Sequence, residues 1–132
     1  MITHTHIRGL VAGGNSLNKR IDVQGGAEYN VNESIGASAV NAQVALAIDV
    51  SQLKSLFILA AAALVLKTNN SGAPVNTITL AANQPFAWQA GDGDLLDTEG
   101  EEITTDVTTL YVTNPVAEAI DLRIFVLTDP TV

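Results

Sequence analysis

The chain contains no cysteine. That absence excludes disulfide frameworks, thiol nucleophiles and every cysteine-ligated metal site. Bases are also scarce: six Lys and Arg face 14 Asp and Glu, for a net charge of −8. A chain so acidic is poorly suited to wrapping nucleic acid or an anionic membrane. Tyr29, Phe57, Phe86, Trp88, Tyr111 and Phe125 are all its aromatics, so the core must be built from Val, Ile, Leu and Ala. The longest apolar run, Ser55 to Leu66, falls short of the roughly 20 residues a membrane helix needs. The first eight residues lack the basic and apolar regions of a secretory signal, and none is expected. No G-x-S-x-G elbow occurs, and Gly9-x-x-x-Gly13-Gly14 has neither the spacing nor the lysine of a phosphate-binding loop. The expectation is a protein that is not an enzyme, with no catalytic residues and no cofactor.

What is present is apolar and β-prone. Hydrophobic residues make up 47% of 132 residues and charged ones 15%, which excludes a disordered chain and fits one domain. Turn signals recur at Gly13-Gly14-Asn15, Gly25-Gly26, Asn69 to Gly72, Gly91 to Asp94 and Asn114-Pro115. Between them, Gln43–Val50, Asn76–Leu80, Val107–Thr113 and Ile120–Leu127 alternate with period two, as half-buried antiparallel strands do. About eight to ten such segments at this spacing predict an all-β antiparallel sandwich, jelly-roll-like. The run Gln52–Lys67, with four consecutive alanines, is compatible with a buried helix. Two strands near Leu56–Leu59 and Leu64–Lys67 agree better with the β surroundings. One helical turn capped by Ser51 is expected over Val50–Lys54. The predicted organisation is an N-terminal arm, residues 1–16, and a sandwich domain, residues 17–132.

His4-Thr5-His6 puts two imidazoles on one side of a strand, as some metal sites do. Cupin-type sites add a nearby glutamate and a distant histidine, and this chain has no third histidine. The pair is therefore read as exposed on a terminal arm, and no metal ligand is assigned. Asp92, Asp94, Asp97, Glu99, Glu101, Glu102 and Asp106 form an acidic run without a base. An EF-hand loop starting at Asp92 fails at Leu96, Asp97 and Ile103. The run reads as a solvated, outward-facing loop, with a cation site as the lesser alternative. Trp88 reads as a core or edge plug, and the sequons at Asn32 and Asn69 as unused.

Several segments together are similar to a known class. These are S-L-F-I-L-A (55–60), L-V-L-K-T-N-N (64–70), A-P-V-N-T-I-T-L (73–80), Q-P-F-A-W (84–88), L-Y-V-T-N (110–114) and I-F-V-L-T-D-P (124–130). Their order over about 80 residues resembles small virion proteins of tailed bacteriophages, the capsid cement or decoration proteins. The resemblance implies a structural role on the capsid surface of the virion, with the protein made in the bacterial cytoplasm. It further implies the major capsid protein as partner, a homodimer or homotrimer, and neither nucleic-acid nor membrane binding. It brings no catalytic residues. The alternative is a lectin-like or adhesin-like sandwich displayed on a virion.

The charge sharpens this expectation. Residues 1–91 hold four acids and five bases, residues 92–106 seven acids and no base, and residues 107–132 three acids and one base. Most of the negative charge belongs to one short run, and the remainder suits wide protein contacts.

Overall fold

The computed structural model describes residues 1–89 and 105–129. The acidic run, apart from Asp106, therefore lies outside the described residues, as does the side chain of Trp88. Every regular element is a strand: β1 (Ile2–Ala12), β2 (Asn15–Gly25), β3 (Ala27–Ile35), β4 (Ala42–Val44), β5 (Leu53–Ala60), β6 (Leu64–Thr68), β7 (Thr77–Leu80), β8 (Phe86–Gln89), β9 (Leu110–Thr113) and β10 (Ile120–Thr128).

β3 to β10 form two four-stranded antiparallel sheets, ordered β3-β10-β5-β8 and β4-β9-β6-β7. The pairing is nested. β6 pairs β7, β5 pairs β8, β4 pairs β9 and β3 pairs β10, while β10–β5 and β9–β6 contacts close the roll. A long antiparallel ladder rolled onto itself in this way is a jelly-roll sandwich, and the expected fold class is the observed one.

Alternation explains the packing. Leu56, Ile58 and Ala60 of β5 and Leu122, Ile124 and Val126 of β10 point into the sandwich. They meet Leu64 and Leu66 of β6, Ile78 and Leu80 of β7, and Leu110 and Val112 of β9. The Gln52–Lys67 run is indeed two strands; Ala61 to Ala63 connect them and Ala60 packs in the core. Gln43–Val50 and Val107–Thr113 pair for only part of their length. Beyond β4 and β9 they meet in a single bridge between Ile48 and Val107. The turn expected from Ser51 is organised by Asp49, whose carboxylate accepts from the Ser51 N–H and hydroxyl while Gln52 N–H bonds the Asp49 carbonyl. No helix forms among the described residues.

The loops are fastened by asparagines. Asn114 is 1% exposed, and its amide donates to the carbonyls of Ile35 (3.3 Å), Gly36 (3.1 Å) and Glu118 (2.7 Å) while its oxygen accepts from Val116 N–H. It thereby ties the β3–β4 loop to the β9–β10 loop. Asn69 performs a similar task with Asp106 and Thr108.

β1 and β2 form a separate hairpin of 11 paired positions, from Ile2↔Gly25 to Ala12↔Asn15. Gly13 and Gly14 make its two-residue loop with φ of 58° and 85°, the backbone that a primed hairpin turn requires. The arm thus runs from residue 2 to residue 25, and the division expected at residue 16 falls just past its turn. One residue, Gly26, links the arm to β3, and its N–H bonds the Thr128 carbonyl at 2.9 Å.

Replacing Asn114 with Ala should cost about 2–3 kcal/mol, since it orphans buried carbonyls on two loops. Urea denaturation should show a lower midpoint with an unchanged slope.

Candidate functional site

Strand alternation gives the hairpin two faces. Thr3, Thr5, Ile7, Gly9 and Val11 share one, with their partners Gln24, Asp22, Arg20, Asn18 and Ser16. Thr5 and Arg20 both donate to the Asp22 carboxylate, at 2.8 and 3.1 Å, and these bonds hold that carboxyl below its ordinary value. The opposite face carries His4, His6, Ile21 and Val23. Near the base of the arm this second face lies on the outer face of the β3-β10-β5-β8 sheet, and His4, His6 and Val23 are buried there. Contact is close at the joint. A Cβ on Gly25 would stand 2.7 Å from both Leu127 Cγ and the Thr128 carbonyl oxygen, a space that only glycine fits.

The two histidines converge on one hydroxyl. His4 Nδ1 lies 2.9 Å and His6 Nε2 2.8 Å from Ser55 Oγ, and Ser55 is fully buried. His6 stacks on Phe57 with ring centroids 4.3 Å apart, and His4 tilts against the same ring. His4 Nε2 faces Glu28 Oε2 at 3.4 Å. His6 Nδ1 is buried without a hydrogen-bond partner.

Proton positions follow from this network. Glu28, as a carboxylate, calls for the His4 proton on Nε2, which leaves Nδ1 to accept the Ser55 hydroxyl proton. Ser55 Oγ then accepts from His6 Nε2–H. The chain runs His6 to Ser55 to His4 to Glu28, and the one group left over is an acceptor, His6 Nδ1. The order Ser, His, Glu is that of a nucleophilic relay, but the Ser55 hydroxyl has no exposed surface and is shared by two imidazoles. The arrangement fastens the arm.

The expectation of exposed histidines is corrected here. Their same-side placement holds, yet the outer face of β5 covers both rings. Ser55, Phe57 and Glu28 lie 22 or more residues from either histidine, so local sequence gave no link to them. The available signal was Phe57, an aromatic on the face of β5 opposite Leu56 and Ile58, which calls for a cover. Among the described residues no group of three or more His, Asp or Glu is placed to hold a metal ion. Gly9 sits in a strand pair and Gly13-Gly14 in a hairpin turn, so neither forms a phosphate cradle. A shallow depression of about 160 Å3, lined by Leu59, Ala60, Ala61, Asn83, Asp121 and Arg123, is smaller than the usual ligand pocket of about 300–1,000 Å3.

Beyond its base the described side chains of the arm are exposed. Ile7 is 73% exposed and Val11 80% on one face, and Leu17 is 66% exposed on the other. Each strand is about 35 Å long at ~3.3 Å per residue, and a two-stranded hairpin without a covering layer is marginal in water. Comparison of the chain with protein-family models, with curated proteins and with solved structures returns no match.

Removing the shared hydroxyl with Ser55→Ala leaves two buried ring nitrogens without their partner, a loss of about 2–3 kcal/mol. Because the hairpin leans on this seat, amide exchange across β1 and β2 should accelerate roughly 30–150-fold while β6 and β9 keep their protection.

Proposed function

We propose that the chain is a structural protein of a tailed-bacteriophage virion, a cement or decoration protein that binds the head shell through contact rather than catalysis. The observation that carries this reading is the distal half of the hairpin. It presents Ile7, Val11 and Leu17 to solvent on both faces of a two-stranded ribbon. The sandwich core does not use these side chains. An arm of this kind gains stability when a larger surface covers it, about 1.5–3 kcal/mol for each such side chain fully buried. The jelly-roll body supplies a rigid mount, and the segments similar to phage cement proteins lie in that body. The partner in this reading is the major capsid protein, met on the outer capsid surface by a homodimer or homotrimer arranged about a symmetry axis.

Cosedimentation with heads assembled without this chain tests the proposal. Saturable binding is expected, with affinity falling about tenfold for each of Ile7→Asp, Val11→Asp and Leu17→Asp while circular dichroism stays that of the folded protein. Absence of binding, together with glycan-array hits that vanish on Trp88→Ala, would replace it with a lectin-like module.

A further inference from the structure

We propose that the His4–Ser55–His6 seat is an acid-released latch, which pins the arm to its own sheet at neutral pH and frees it on acidification. This regulates the same arm and, for its biological purpose, rests on the arm being the contact element.

The argument is a proton count. With both imidazoles neutral, the seat holds one proton for each of its three bonds: His6 Nε2–H to Ser55, Ser55 O–H to His4, and His4 Nε2–H to Glu28. One further proton has no good place. On His4 Nδ1 it gains Glu28 as a counter-charge, but either the Ser55 hydroxyl proton loses its acceptor or His6 must turn its own N–H to the buried, partnerless Nδ1 position. On His6 Nδ1 it creates a buried N–H without a partner. Two further protons set two cations against a single buried oxygen, with Glu28 beside only one of them. Uncompensated buried charge is far more costly than a broken neutral hydrogen bond.

Among the described side chains, no other charged group removes this conflict. On β10, Arg123 shares the outer face four pairs from Leu127. Lys54 fills the irregularity of β5 next to Ser55. Both are cations and offer no compensating negative charge. From β3, Glu28 approaches the seat through His4. On β2, Arg20 and Asp22 pair on the arm's opposite face. Burial first, and then the neighbouring His4, hold the His6 ring below its ordinary 6.5 while the arm is seated.

Linkage sets the direction. In the released arm His6 returns to its ordinary value, so the released state binds protons more readily than the seated one. Seating is therefore at full strength above about pH 6.5 and weakens as pH falls toward the lowered value of His6. The sandwich core contains neither histidine and is untouched by this titration. The arm has only a one-residue joint to the body, so its base can lift without unrolling the jelly roll.

The chain has no cysteine, so Ser16→Cys and Asn32→Cys place two unique spin labels, one near the tip of the arm and one on β3. Pulsed dipolar spectroscopy on this labelled chain, without any shell, should give a narrow distance distribution at about pH 8. The distribution should broaden below about pH 6 while circular dichroism of the body is unchanged. His6→Phe, which keeps a ring against Phe57, should stay narrow throughout, and Ser55→Ala should already be broad at about pH 8. A narrow distribution in the parent down to about pH 4.5 overturns the latch. Acid broadening that His6→Phe leaves unaltered also overturns it, as does broadening that coincides with loss of the body's folded signal. Should His6→Phe fail to fold, the parent titration and Ser55→Ala still decide the matter. Shell binding is measured separately, so a failed latch and a failed shell reading give different results.

Discussion

Where the arm begins, the β3-β10-β5-β8 sheet needs cover on both faces, and that constraint organises the rest of the molecule. Its two central strands, β5 and β10, turn Leu56, Ile58, Leu122, Ile124 and Val126 toward the sandwich core. The same alternation turns Ser55, Phe57 and Leu127 the other way. Left to water, the part of that second face beneath the arm would expose Phe57 and Leu127. The hairpin base supplies the cover, with His4, His6 and Val23 above Ser55 and Phe57 and Gly25 pressed against Leu127. The arm is thus three layers deep at its root and a bare ribbon at its tip.

Much of the body was legible because period-two alternation reports a sheet with one wet face. The Ile120–Leu127 and Asn76–Leu80 segments became β10 and β7 nearly as written. The alanine-rich run was ambiguous because a short apolar stretch carries no period; the ladder from Leu64 to Lys67 along β7 and β9 decided it. Asn114 looked like a turn marker beside Pro115. It is instead a buried clamp whose three acceptors include two carbonyls 78 and 79 residues away, and no local pattern encodes such a reach. The arm was misjudged for the same reason. Gly13-Gly14 signalled a turn, yet the partners of His4 and His6 lie about 50 residues downstream. An H-x-H pair therefore looked exposed when it was sealed.

The seat is polar, and that choice differs from the way the core is held. A leucine at Ser55 and aliphatic residues at 4 and 6 would fasten the arm at every pH. Imidazoles, which can take up a proton, make the attachment conditional, while the aliphatic sandwich beneath stays indifferent to pH. Stability of the body and position of the arm are thereby separated within one small domain.

The joint at Gly26 has a mechanical consequence. With a single residue between β2 and β3, and its N–H held by Thr128, tension on the arm enters the body at the first rung of the β3–β10 ladder. That ladder has nine registered pairs, and β10 is in turn bonded to β5. Load directed along the strands is shared across these rungs at once, whereas load directed across them opens the ladder one rung at a time. The grip of the body on its arm therefore depends on the direction of the pull, and the one-residue tether keeps the arm from slackening before the sheet takes the strain.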